Sequence, residues 1–228
     1  MNKTISTICF DYYQTLVQID APFQRIEQWL YEFIQNNYKE IDDKKFCSRL
    51  TKFRVKLSTG QTFLTGIDLL AQSFEQTCNY FEVSCPKKEF VNFIEELFIM
   101  PEAYCDAKYT IENLRKNFTV GLLTNADNHI LKSSILKNSF EFDFIITSED
   151  AKANKPDERI FNYALERLRK KPHEVVMVGD SQMDDIYGAG RMNMSTIWVN
   201  RERAELKEGI PLPSLEVCTL KEILNKLI

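Results

Sequence analysis

Hydrophobic positions follow two rhythms along the chain, and the changes between them mark out its organisation. Residues 5–10 form an apolar, β-branched run that stops at Asp11, the pattern of a short buried strand. From about residue 21 to residue 99 the period is helical. Phe23, Ile26, Leu30, Phe33 and Ile34 share one stripe, and Phe46, Leu50, Phe53 and Leu57 a second. Ile67, Leu70, Phe74, Cys78 and Phe81 make a third, and Phe90, Ile94, Leu97 and Phe98 a fourth. Breaks at Asp42-Asp43, Thr59-Gly60 and Ser84-Cys85-Pro86 separate them, so the spacing predicts four amphipathic helices with no strand between. After Pro101 the rhythm alternates. Strands are predicted at 119–123, 144–147, 175–178 and 196–199, and helices at about 103–116, 127–137, 157–169 and 184–192. Strands that are apolar throughout, each followed by a helix, predict a parallel sheet covered on both faces.

Composition narrows the class. With 44% hydrophobic and 27% charged residues in 228, the chain has the make-up of a globular protein. The net charge of −4 is spread in interleaved signs with no basic stripe, which argues against nucleic acid as a partner. No apolar run reaches the roughly 18 residues of a membrane span, and the N-terminal run is too short for a signal peptide. A cytoplasmic protein without a membrane partner is expected. The six cysteines stand singly, without zinc-ligand spacing, and are read as thiols rather than disulfides.

Four short segments carry the candidate chemistry. They are Phe10-Asp11-Tyr12-Tyr13-Gln14-Thr15-Leu16, Leu123-Thr124-Asn125-Ala126, Lys155-Pro156-Asp157 with Ile160-Phe161 beyond it, and Gly179-Asp180-Ser181-Gln182-Met183-Asp184-Asp185 with Gly188-Ala189-Gly190 beyond it. Singly, each has an ordinary explanation. An Asp after a strand is usually a turn residue or helix cap, a Lys before Pro is usually solvated, and acids at 184 and 185 suit a helix N-terminus. Both Asp11 and Asp180 directly follow strands, however, and open α/β sheets bind ligands at the carboxyl ends of their strands.

In kind and order, the four segments resemble the motifs of the haloacid dehalogenase-like hydrolase superfamily, over almost the whole chain. The resemblance implies a Rossmann-like α/β core, residues 1–17 and 100–228, with an inserted helical bundle, residues 18–99, as a cap of that superfamily's first class. It implies Asp11 as the nucleophile, and Mg²⁺ held by Asp11, Asp180 and the Tyr13 carbonyl, with Asp185 completing the metal site by orienting ligands or Lys155. Lys155 is then expected to pair with the nucleophile, and Thr124 with the Asn125 amide to hydrogen-bond a phosphoryl group. A carboxylate attacking a phosphoryl dianion needs such positive charge around it.

One departure bears on mechanism. Phosphatases of the superfamily usually carry a second Asp two residues after the nucleophile, as general acid then base; here that residue is Tyr13, and Gln14 stands where Gly is customary. A phenol, with an ordinary pKa near 10, is a poor base at neutral pH. Three readings stay open. The first is a Mg²⁺-dependent phosphatase acting on a small phosphorylated metabolite. The second is a metal-independent 2-haloacid dehalogenase, since those enzymes resemble Asp11-Tyr12-Tyr13-Gln14-Thr15 in carrying Asp-x-Tyr-Gly-Thr. Against it, they carry Ser where this chain has Asp180, Asn where it has Gln182 and Tyr where it has Phe161. The third is a catalytically degenerate binding or regulatory protein. Phosphonate cleavage would need a cap lysine that the sequence does not single out. The insertion's aromatic residues (Trp29, Tyr31, Phe53, Phe63, Phe74) read as bundle core before substrate pocket, and Arg54 between Lys52 and Lys56 as a solvated face.

Overall fold

The computed structural model describes residues 5–60 and 62–227. In chain order the elements are β1 (Thr7–Phe10), β2 (Val17–Gln18), α1 (Pro22–Asn37), α2 (Asp43–Ser58), α3 (Gly66–Tyr80), α4 (Lys87–Ile99), β3 (Glu102–Ala103) and α5 (Ala107–Leu114). There follow β4 (Thr119–Thr124), α6 (Asn128–Lys137), β5 (Phe144–Thr147), α7 (Ser148–Ala151), α8 (Glu158–Leu168), β6 (Val175–Gly179), α9 (Gly188–Arg191), β7 (Ser195–Val199), β8 (Leu215–Val217) and α10 (Lys221–Leu227). A 3₁₀ turn, Pro172–Glu174, precedes β6, and a π-helical segment, Gln182–Tyr187, precedes α9.

Six strands form one sheet in the order β5-β4-β1-β6-β7-β8, every neighbouring pair parallel. This is the α/β architecture that the alternating rhythm predicts. The central β1 is buried at all four positions because both of its faces are covered. Ile8 and Phe10 point into one core with Val120, Leu122, Val176, Val178, Ile197 and Val199. Cys9 points into the other with Leu123, Met177, Ile160 and Phe161. That alternation is the two-residue period of a strand with apolar layers on both sides. Register then fixes the strand tips: Phe10 lies level with Leu122 on one side and Val178 on the other.

The chain divides into two compact units, 1–18 with 101–228, and 19–100. The second is the four-helix insertion between β1 and β4. Two of its helices, α2 and α3, begin at side-chain caps: Asp42 accepts from the Lys45 amide and Thr65 from the Asp68 amide. Its interior is aromatic. The Trp29 ring meets Phe33, Phe74, Phe90 and Phe93 at centroid distances of 5.8, 5.7, 5.1 and 5.9 Å, so Trp29 and Phe74 are bundle core. Phe23, placed on the first stripe, is instead 62% exposed, with the Arg54 guanidinium over its ring.

Other differences from the sequence-based expectation are local. The short antiparallel pair β2–β3, Val17 opposite Ala103 and Gln18 opposite Glu102, is too brief to leave a periodic signal, and its second strand ends on the first residue of the helix expected at 103–116. The edge strand β8 and the terminal helix α10 were not anticipated either. The helix expected at 184–192 opens as a wider turn, because the Ser181 carbonyl accepts from both Asp185 N and Ile186 N at 3.0 and 3.2 Å. All six cysteines are free thiols, and no helix among the described residues is long and apolar enough to cross a membrane.

Candidate active site

Three neighbouring strands, β4, β1 and β6, end side by side, and each delivers a polar residue at its carboxyl tip. Asp11 follows β1 and is anchored by its own amide, which donates to the Val178 carbonyl at 2.8 Å. Thr124 ends β4, and its hydroxyl donates to Asp11 Oδ1 at 2.9 Å. Asp180 follows β6. Its carboxylate accepts from the Thr15 hydroxyl at 2.9 Å, while its amide donates back to the same oxygen at 3.0 Å. The indole N–H of Trp198, on β7, donates to the Asp180 carbonyl at 3.0 Å.

Lys155 is drawn under this row. Its ammonium, on a side chain only 2% exposed, donates to Asp11 Oδ1 at 2.7 Å and to Asp185 Oδ1 at 2.5 Å. Its backbone is clamped by Asn125, whose side-chain amide donates to the Lys155 carbonyl and accepts from the Lys155 N–H, at 3.1 and 2.7 Å. The Asn125 side chain therefore holds Lys155, and the Asn125 main-chain N–H is what it can offer an anion. Thr124 and Lys155 both fall on Oδ1 of Asp11, and among the described residues no donor reaches Oδ2. One oxygen of the carboxylate is thereby held by two donors.

Asp185 is fully buried, with its second oxygen accepting from the Ser181 N–H at 3.0 Å. It lies against the backbone of Gly179 so closely that a Cβ there would run into its carboxylate. Glycine is required at 179 by this approach, and the wide turn after Ser181 brings Asp185 to it.

Electrostatics follow from counting charges. One carboxylate oxygen each from Asp11, Asp180 and Asp185 lies within 4.8 Å of the others, and among the described residues one ammonium, that of Lys155, pairs with them. Burial and the nearby Asp11 push the Asp180 carboxyl up to about 6, against the opposing pull of the Thr15 hydroxyl and Lys155. Burial likewise raises Asp185, with Asp11 and Asp180 adding to it and Lys155 opposing. For Lys155, burial works to release its proton, but the two carboxylates outweigh it and hold the ammonium charged. The donor set fits a divalent cation. Oxygen ligands only, two more negative charges than positive, and carboxyls that resist ionisation are what a hard cation such as Mg²⁺ relieves.

A pH dependence follows. Metal-free, Asp180 takes up a proton between about 6 and its ordinary value, where the unfolded chain has not yet taken one, so its contribution to stability rises as pH falls through that window. Metal binding needs the ionised form, so its dependence runs the other way. The gain in thermal midpoint on adding Mg²⁺ is expected to be larger at about pH 7.5 than at about pH 5. That difference should shrink in Asp180→Asn, as read by scanning calorimetry with and without the ion.

Tyr13 stands where the second Asp is absent. Its ring is partly buried against the core, 5.1 Å from the Tyr12 ring, edge to face. Burial first, then Tyr12, Asp127 and Asp11, push its phenol far above the ordinary range, so it stays neutral and supplies no base. Gln14 occupies the left-handed region at φ 62°, a conformation that costs a residue with a Cβ about 1–2 kcal/mol. Gln14→Gly is expected to unfold later than Gln14→Ala by about 1 kcal/mol in urea titration, because both lose the side chain and only glycine relieves the backbone.

Residues 5–193 match the family model for a haloacid dehalogenase-like hydrolase. The chain belongs to that family. It is similar to (S)-2-haloacid dehalogenase 4A of Burkholderia cepacia, at 32% identity over 128 residues, 55% of this chain and 52% of the relative. It is also similar to the pyrimidine 5'-nucleotidase YjjG of Escherichia coli, at 28% identity over 166 residues, 70% of this chain and 72% of the relative. The chain thus spans about half the length of the first relative and somewhat over two thirds of the second. A dehalogenase crystal structure with an intermediate complex superposes with a TM-score of 0.75 at 20% identity, covering 100% of this chain and 99% of that one, a likeness of fold. Among its relatives, then, this hydrolase has both phosphatases and dehalogenases, and the helical insertion between β1 and β4 is consistent with the first cap class.

Proposed function

We propose that this hydrolase is a Mg²⁺-dependent phosphatase of small phosphorylated metabolites, working through an aspartyl-phosphate at Asp11, with residues 19–100 as its cap domain. What carries the proposal is Asp180. A carboxylate beside Asp11 and Asp185, with Lys155 the one cation paired with them among the described residues, leaves negative charge that a metal-independent dehalogenase site has no reason to keep. The ion would be held by Asp11, Asp180 and the Tyr13 carbonyl, and when bound it supplies positive charge to the transferring phosphoryl oxygens. Asp11 Oδ2, the oxygen not engaged by Thr124 or Lys155, attacks phosphorus as the ester P–O bond breaks and the leaving oxygen takes the electron pair. Lys155 and Thr124 hold Oδ1, which aims Oδ2, and water then hydrolyses the acyl phosphate to free phosphate and the restored carboxylate. Asp185 keeps Lys155 charged and in place.

With no acid at residue 13, leaving groups that depart without a proton, aryl and acyl phosphates, are expected to be preferred over sugar phosphates. The second reading is favoured by Tyr13 and by the dehalogenase relative, and the same assay separates the two. p-Nitrophenyl phosphate and 2-chloropropionate are each offered with Mg²⁺ and with chelator. Phosphate release that needs the metal is the expected result. Halide release indifferent to chelator would establish the dehalogenase instead, and folded protein silent on both would favour a binding module.

A further inference from the structure

Behind the loop from Tyr13 to Leu16 lies a second group of side chains that the chemistry above does not use. Arg201, just after β7, makes a two-pronged ion pair with Asp106: Nη1 to Oδ2 at 3.2 Å and Nη2 to Oδ1 at 3.0 Å. The same Nη2 donates to the Thr15 carbonyl at 3.1 Å. The guanidinium lies over the Tyr104 ring, 3.7 Å from its centroid, and the Tyr104 hydroxyl donates to Gln14 Oε1 at 3.3 Å. Asp106 is itself fixed by the Leu220 N–H at 2.8 Å. Two consecutive residues of the loop, 14 and 15, are thus gripped from one side by residues at 104, 106 and 201.

Thr15 faces two ways. Its carbonyl is held by Arg201, and its hydroxyl holds the Asp180 carboxylate and accepts the Asp180 N–H. Gln14, meanwhile, is in a backbone conformation unfavourable to it, so the loop needs an outside hold to keep that shape. Arg201 Nε is buried with no acceptor, a cost that a group selected only for stability would avoid. A lysine there would keep the charge and shed the orphan donor, but a point charge cannot serve Asp106 and Thr15 in one plane while lying on a ring.

We propose that Arg201, seated on Tyr104 and Asp106, is a positioning residue that holds the Tyr13–Leu16 loop so that Thr15 presents Asp180, and the loop backbone its carbonyl, to the metal. This rests on the phosphatase reading for its consequence, though the ordering of the loop can be measured without metal.

The test uses the full chain with Arg201→Lys and, as a milder second variant, Tyr104→Phe, which removes only the hydroxyl on Gln14. Amide exchange of the metal-free proteins is followed residue by residue at Leu16 and Asp180, with Cys9 and Val178 inside the sheet as controls. Mg²⁺ affinity is then measured by calorimetry, and turnover of p-nitrophenyl phosphate across a magnesium series. Arg201→Lys is expected to speed exchange at Leu16 and Asp180 about tenfold with the controls unchanged. It should also weaken Mg²⁺ binding about tenfold, with turnover recovering at saturating magnesium. Tyr104→Phe should shift both in the same direction by less. Unchanged exchange at Leu16 and Asp180 in both variants overturns the proposal. So does exchange that rises equally at the control residues, which would make Arg201 a general brace. A wild-type protein that takes up no Mg²⁺ defeats the phosphatase reading itself, and the link from the loop to metal falls with it, whatever the exchange shows.

Discussion

Asp11→Asn is expected to lower phosphate release by at least about 10⁴-fold while the protein still folds, because the variant retains every strand tip but loses the attacking oxygen. Thr124 and Lys155 would still find an acceptor at the amide oxygen, so the site should stay assembled. What changes is Oδ2, the atom left clear of donors, which becomes an NH₂ group that cannot attack phosphorus. Rapid quenching of the wild-type reaction, followed by mass spectrometry of the peptide containing residue 11, should show a phosphoryl adduct that the variant lacks. Retention of turnover by the variant would mean that some other group, or water directly, does the displacement.

The second large effect is a gain. Tyr13→Asp restores a short carboxyl where the superfamily's phosphatases usually have one, and a positioned acid and base is worth roughly 10²–10⁴-fold. The increase should appear on alkyl phosphates, whose leaving oxygen needs a proton, and be much smaller on aryl phosphates. The ratio of the two rates is therefore the quantity to measure. Wild type should show a strong preference for the aryl ester, with the phosphorylated enzyme accumulating because its hydrolysis lacks a base. Some stability will be lost, since the Tyr13 ring covers the edge of Tyr12. A wild-type enzyme that cleaves both esters at equal rates would show that the acid is supplied from elsewhere.

How much of this could be read from residues alone depended on whether the signal was local. Strands β1, β4 and β6 were legible because each is an apolar run broken by a polar residue at its tip, and the break is where the chemistry stands. The insertion was legible because four stripes of large apolar residues keep a helical period. Asp11, Thr124, Lys155 and Asp180 were found through the order of their motifs, and the structure brings all four together. Contacts across the chain left no pattern to find. Trp198 donates to a carbonyl 18 positions away and Arg201 to one 186 positions away. Nothing in the composition of their neighbourhoods marks either. Thr15 lay inside a recognised segment, yet its hold on Asp180 depends on β1 and β6 lying side by side. The need for glycine at 179 was hidden for a similar reason: it arises from a π-helical turn that a helical rhythm does not distinguish from an ordinary one.

The rung formed by Val17 and Gln18 against Glu102 and Ala103 has a bearing on how such a protein can diversify. Because the polypeptide leaves the sheet and comes back to it at a single clasp, the entropy of closing the long excursion is met there and not at the strand tips. The intervening stretch can lengthen, shorten or be exchanged wholesale without disturbing how Asp11, Thr124 and Asp180 are lined up. Changes of length or sequence in the insertion are thereby kept apart from the alignment of the strand tips.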